Sequence, residues 1–219
     1  MKTVQISEHI WKCSIWVGIT VSVWVVQSED GLTLVDTGIS LMAGGIEKCF
    51  RQLNAPLQRI LLTHGHSDHS GGIVRIRSKF PVPVYAQAEE IPYMEGRLPY
   101  PGRSKAEKLA EPGLVQPLDD RAAAAAGLRA VHTPGHSPGH VAYYHEQDGV
   151  LLAGDLFTEK RGRLNRPMPM FTADMKQAVE SGAVVAQLNP RLVSVCHGGN
   201  VLISSPQEQY KAYALAAIK

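Results

Sequence analysis

The densest chemistry in the chain lies in Thr63-His64-Gly65-His66-Ser67-Asp68-His69-Ser70-Gly71-Gly72, where three imidazoles and a carboxylate fall within six residues. Imidazole nitrogen and carboxylate oxygen are the donors of a borderline divalent ion such as zinc. His64 and His66 stand two apart at what reads as a strand end, which would aim both side chains to one side. Asp68 and His69 follow at the expected start of a helix, displaced so as to offer a second cluster of donors. Three more candidates stand where a strand meets a loop. Asp155 ends an apolar run at 150–153, His197 follows another at 192–196, and His136 sits inside His132-Thr133-Pro134-Gly135-His136-Ser137-Pro138-Gly139-His140. The spacing of four between those histidines imitates a helical zinc motif. Two Pro-Gly pairs exclude a helix, so at most one or two of them reach a shared site.

Other polar residues have roles that the sequence leaves open. Asp36, in Asp36-Thr37-Gly38, either caps the following turn or orients a ligand histidine through its other ring nitrogen. His132 and His140 are read as structural or orienting residues. Cys196 precedes His197, and strand alternation would point it away from that histidine into the core. His9 and His145 show no partner pattern and read as ordinary residues.

These groups need a frame of strands and helices. Residues 11–19, 22–27 and 32–35 are rich in β-branched, aromatic and apolar side chains and read as strands. Helical spacing follows at 46–53, with Ile46, Cys49, Phe50 and Leu53 on one face and Asn54-Ala55-Pro56 closing it. A strand at 59–63, a helix at 68–79 and a strand at 82–85 come next. Residues 89–117 are Pro-rich and weakly periodic, with one short helix expected around 104–110. The second half reads as strands at 128–132, 141–145 and 150–153, a helix at 174–188, a strand at 192–196 and a closing helix at 206–218. Ala122–Ala126 reads as a loop or strand edge. Both halves (1–120 and 121–219) run strands then helix with no linker between them, which predicts one domain over 1–219 and two sheets face to face with helices outside.

Composition narrows the partners. With 44% hydrophobic and 19% charged residues, the 219-residue chain has the balance of a soluble globular protein. A net charge of +2 gives no electrostatic ground for nucleic-acid or membrane binding. Cys13, Cys49 and Cys196 form no CxxC pattern, so neither a disulfide framework nor a cysteine zinc site is indicated, and a reducing cytoplasm is the expected compartment. The apolar segment 15–26 has only 12 residues where about 20 would be needed to span a bilayer, and no cleavage site follows it.

Taken together, HxHxDH at 64–69, a His within HTPGHSPGH, Gly154-Asp155 and a His in CHGG resemble the metallo-β-lactamase-fold superfamily, over nearly the whole chain from Asp36-Thr37-Gly38 to His197. The resemblance implies an α/β four-layer αββα sandwich with two mixed sheets. It also implies a first metal held by His64, His66 and His136, and a second held by Asp68, His69 and His197, with Asp155 bridging. Two divalent ions are expected, zinc first, with iron or manganese as alternatives. A metal lowers the pKa of bound water towards ~7. The expected reaction is therefore attack of a bridging hydroxide on a carbonyl, with Asp68 also moving the proton to the leaving group.

The substrate is less determined. HTPGH and GD are similar to glyoxalase II-type thioesterases and lactonases, so a small-molecule ester, thioester or lactone is expected. With about twenty residues after His197, the helical glutathione-binding domain of full-length glyoxalase II is not expected. Acyl-homoserine lactonases carry a Tyr soon after the bridging Asp, whereas here the sequence is Asp155-Leu156-Phe157-Thr158. A mononuclear iron sulfur-dioxygenase of the same fold, or a phosphodiesterase or β-lactamase-type hydrolase, is the alternative. Expected substrate walls are Tyr93, Met94 and Tyr100, and a loop with Lys160, Arg161, Arg163 and Arg166 beside Met168, Met170 and Phe171. Those cations either hold an anionic ester or form a solvated loop. The oligomeric state stays open between monomer and homodimer.

Overall fold

The structure, a computed structural model, describes residues 1–217. Within them the first sheet contains β1 (Lys2–Gln5), β2 (Ile10–Trp16), β3 (Thr20–Ser28), β4 (Gly31–Val35), β5 (Leu57–Leu61), β6 (Val84–Ala86) and β7 (Val115–Pro117), side by side in that order. Pairing is antiparallel from β1 to β4 and parallel from β4 to β7. The second sheet is built from β8 (Leu128–His132), β9 (Val141–His145), β10 (Val150–Leu152), β13 (Leu192–Ser194) and β14 (Asn200–Leu202), in the spatial order β14-β13-β10-β9-β8. Between β10 and β13 lies a hairpin, β11 (Thr158–Lys160) and β12 (Arg163–Asn165).

Burial along the strands shows why the sheets face each other. Val21 to Val26 on β3 and all of β4 are buried, as expected of strands covered on both faces. Alternation on β9 sends Val141 and Tyr143 into the core shared with the first sheet, and Ala142 and Tyr144 into a second core beneath the helices. Trp24 Nε1 donates across the interface to Ser194 Oγ at 2.7 Å, and Tyr143 Oη donates to the Leu62 carbonyl at 2.9 Å. Helix α1 (Ala43–Leu53) covers the first sheet through Ile46, Cys49 and Phe50, and ends at Asn54 in the left-handed conformation. The result is the expected αββα sandwich. No helix among the described residues is long and apolar enough to cross a membrane.

Two expected helices are each broken in two. The one at 68–79 is α2 (Ser67–Ser70) and α3 (Ile73–Arg77), interrupted where Gly72 lets the Asp36-Thr37-Gly38 turn approach; a Cβ there would lie 2.5 Å from the Thr37 carbonyl. The short helix expected near 104–110 does not form. The Pro-rich segment has α4 (Ile91–Met94) instead, and the Leu109 and Ala110 amides donate to the Met94 carbonyl. Residues 122–126 are not a strand edge: α5 (Asp120–Ala124) forms there because Asp119 accepts from the Ala122 amide at 2.8 Å. The helix at 174–188 divides into α6 (Met175–Ser181) and α7 (Val184–Leu188) around Gly182, whose missing side chain makes room for Tyr213. The closing helix is α8 (Pro206–Ala217), and Ile218 of the expected span lies outside the described residues.

His9 and His145, expected to be ordinary residues without a partner, share one. Their rings stack with centroids 5.4 Å apart, and buried Asp148 bonds His9 at both its amide (2.9 Å) and its Nδ1 (2.8 Å). This pins the start of β2 to the second sheet. Burial would raise the Asp148 carboxyl, but the hydrogen bonds that it accepts hold it below the usual range. Its contribution to stability is therefore present above the unfolded pKa of ~3.9 and is lost as pH falls through the lower folded value. Asp148→Asn should lose about 1.5–3 kcal/mol in urea unfolding at pH 7, the scale of charge-assisted bonds. The gap to the parent protein should close in the same titration below pH ~4.

Candidate metal centre

The histidine string runs through the turn between β5 and α2. Because β5 ends at Leu61, strand pleating does not place His64 and His66, contrary to expectation. The turn does so by pressing Gly65 against the Pro-rich segment, where a Cβ would lie 2.3 Å from both Met94 and the Tyr100 hydroxyl. The two rings converge with His136: His64 Nε2 is 3.0 Å from His66 Nδ1, which is 3.1 Å from His136 Nε2. Three ring nitrogens facing one another form a cradle for a cation. Burial holds His64 well below the ordinary histidine range, His66 below it and His136 down to about 3, so all three are neutral, as metal ligation requires.

A second group lies beside the first. His197 Nε2 is 3.1 Å from Asp155 Oδ2 and 3.2 Å from Asp68 Oδ2, while His69 Nε2 is 3.3 Å from Asp155 Oδ1 and 3.8 Å from Asp68. Asp155 Oδ2 is also 3.4 Å from His136 Nε2, so this carboxylate faces both groups. Burial disfavours charge on Asp155, but His197 and His69 hold it well below the usual range; likewise His69 and His197 bring Asp68 to about 2 against burial. Burial opposes a proton on His197, yet the negative surroundings, Asp155 and Cys196 first, lift it to about 12, so a proton sits there in the place that a bound cation would take. His69 Nε2, Asp155 Oδ1 and His197 Nε2 are buried without a hydrogen-bond partner. Leaving such an atom unpaired costs about 1–3 kcal/mol. Three such atoms converging on one space fit a bound cation.

The outer ring nitrogens are tied down. His69 Nδ1 donates to Asp36 Oδ2 at 2.8 Å, and Asp36 also accepts from the Thr63 amide and hydroxyl at 2.7 and 2.8 Å. Asp36 thus orients His69 with Nε2 towards the site. His197 Nδ1 donates to the Thr20 carbonyl at 2.7 Å. His140 stays out of the cradle and accepts the Asp155 amide at 3.1 Å, while His132 contacts the Pro138 carbonyl. Cys196 is buried in the core between the sheets, as expected. The strand stops at Ser194, so alternation no longer governs its direction, and from that core its sulfur also lies with donor atoms of His69, Asp155 and His197, all within 4.8 Å of one another.

Glu90 is the residue that spacing could not reveal, since nothing around Glu89-Glu90 marks it. It is fully buried. It accepts from Gly65 N (2.9 Å), Gly139 N (2.7 Å), Ser137 Oγ (2.6 Å) and Tyr100 Oη (2.7 Å). One carboxylate therefore ties the loop of His64 and His66 to the loop of His136.

The metallo-beta-lactamase superfamily model matches residues 16–197. The chain belongs to that superfamily. The expected enzyme class, a metallo-hydrolase, agrees with this membership. Probable metallo-hydrolase YybB of Bacillus subtilis is 37% identical over 215 residues, covering 96% of each chain. A hydroxyacylglutathione hydrolase of Alkalilimnicola ehrlichii is 36% identical over 57% of this chain and 43% of its own length. The metallo-beta-lactamase of Pontibacter korlensis shares the fold at a TM-score of 0.78 and 19% identity, over 100% of this chain and 99% of that one.

A cavity of about 440 Å³ opens onto the centre. Its floor includes His66, Asp68 and Asp155, its apolar wall includes Val17, Ile19, Met168 and Phe171, and Tyr100, Arg103 and Lys105 border it. Of the expected walls, Tyr100, Met168 and Phe171 line it. Met94 instead packs in the core, and Tyr93 stacks on Tyr100 with centroids 4.8 Å apart. Met170 lines a smaller neighbouring cavity. Lys160, Arg161, Arg163 and Arg166 border neither cavity; the first three lie on the exposed hairpin, so the solvated reading describes them. Glu90→Ala would strand four donors and release both loops. It should lower the melting temperature and reduce metal bound at the three-histidine group more than at the other, as read by elemental analysis and calorimetric metal titration.

Proposed function

We propose that this chain hydrolyses a small-molecule ester, thioester or lactone at a two-ion centre, with zinc as the metal. The observation carrying the reading is Asp155: its carboxylate lies against both donor groups and keeps a buried oxygen unpaired. Bound ions supply a nucleophilic water at neutral pH and polarise the carbonyl under attack. Three neutral imidazoles suit one such ion, and the mixed group of Asp68, His69 and His197, with Asp155 beside it, suits the other. The similarity to a hydroxyacylglutathione hydrolase favours an acyl substrate.

The chain's own groups supply the remaining steps. Asp68 lies on the cavity floor with its side chain 32% exposed, and its carboxyl stands at about 2, so it is ionised at neutral pH. Its free oxygen accepts a proton from attacking water and returns it to the leaving group. Val17, Ile19, Met168 and Phe171 offer the acyl part an apolar surface and exclude water from it. Tyr100 donates its hydroxyl proton to Glu90 and is thereby a wall rather than an acid. A net charge of +2 supports a small molecule rather than nucleic acid as the partner.

Asp68→Asn should retain metal and lower ester turnover by ~10²–10⁴, the span of lost acid–base assistance. Better leaving groups should restore part of that loss, because they require less protonation. Asp155→Asn should lose metal and gain nothing from better leaving groups. Full metal with unchanged turnover in Asp68→Asn would remove Asp68 from the proton path. A single iron per chain with oxygen uptake on a persulfide would replace hydrolysis by sulfur oxidation.

A further inference from the structure

We propose that the Cys196 sulfur is a ligand of the ion at the second group, making that site His69, Asp68, Asp155, His197 and one sulfur. The proposal rests on the two-ion reading above and adds a donor that motif spacing does not mark. Cys196 is wholly buried, and its sulfur belongs to the set of donor atoms that lie within 4.8 Å of one another. Ligands about one ion at ~2.0–2.3 Å stand within that separation of each other. His69 Nε2, His197 Nε2 and Asp155 Oδ1 are buried and unpaired in the same place, so the sulfur joins atoms that already lack a partner.

The sulfur has a polar neighbour as well. The Ser22 amide donates to Cys196 Sγ at 3.5 Å from within the core that buries it. Beyond it, the buried Lys12 ammonium is anchored on the carbonyls of Gly198 and Gly199 at 2.9 and 3.2 Å, and on Asn200 Oδ1 at 3.4 Å. That cation fixes the turn carrying Cys196 and His197 and adds positive charge beside it. On coordination the metal–sulfur bond forms as the S–H bond gives its proton to solvent, with no change of oxidation state. A soft sulfur donor would bias this site towards zinc and away from manganese or magnesium.

Cobalt(II) titration of the metal-free protein, followed by absorption spectroscopy, tests the assignment. Sulfur bound to cobalt gives an intense near-ultraviolet charge-transfer band, whereas nitrogen and oxygen donors alone give only weak visible bands. The parent protein should bind two equivalents and show the ultraviolet band. Cys196→Ser, close in size and able to accept the Ser22 amide, should keep its circular dichroism and the visible bands but lose the ultraviolet one. Cys196→Ala should behave in the same way, which separates ligation from packing. Two bound equivalents without the band in the parent, or a band unchanged in Cys196→Ser, would overturn sulfur ligation and leave the two-ion reading standing. Failure to bind cobalt at all would overturn both.

Discussion

Three carboxylates, Asp36, Glu90 and Asp155, are at most 4% exposed, and the surrounding structure is arranged to answer their charge. A buried charge without compensation costs several kcal/mol, so each needs donors or a counter-ion. Asp36 is answered by Thr63 and His69, and Glu90 by four donors from three segments. Asp155 faces only imidazoles, two of which, His69 and His197, carry unpaired nitrogens, and one of its own oxygens has no partner. The protein completes the first two charges from its own atoms and leaves the third for a cation. That asymmetry is the centre's physical definition.

The fold serves this arrangement by bringing segments far apart in sequence to one edge of the sandwich. His64, His136, Asp155 and His197 each follow a strand, and the strands belong to different sheets. Positioning them therefore depends on how the sheets pack, including the Trp24–Ser194 and Tyr143–Leu62 bonds across the interface. Glycines allow the close approaches that packing demands. A Cβ at Gly154 would lie 2.8 Å from His140 Nε2, beside the residue whose ring accepts the Asp155 amide.

The cavity joins the reactive floor to an apolar wall, a division that suits a substrate with a polar reacting end and an apolar remainder. The wall comes from the β2–β3 turn on one side and from the segment before α6 on the other. Glu90 holds Tyr100 against the histidine loops, so substrate wall and metal ligands share one support.

Residue types and local spacing by themselves marked most of the candidate donors, since His64, His66, Asp68 and His69 declare a metal motif within a few positions, and Asp155 and His197 follow legible apolar runs; spacing left open which histidine of 132–140 joins them. The long strands β3 and β4 and helix α1 were legible for the same reason: burial on a repeating period writes itself into the residue pattern. The three-residue strands β11, β12 and β14 had no such length to signal them, and their pairing partners define them. Glycine breaks in the expected helices were set by contacts from elsewhere, Thr37 against Gly72 and Tyr213 against Gly182. Tertiary structure alone decided that Asp36 orients His69, that Glu90 joins two loops, that His9 and His145 share Asp148, and that the core residue Cys196 lies beside the donors. Each of these is a hydrogen bond or approach between residues distant in the chain, and local spacing carries no record of such distances.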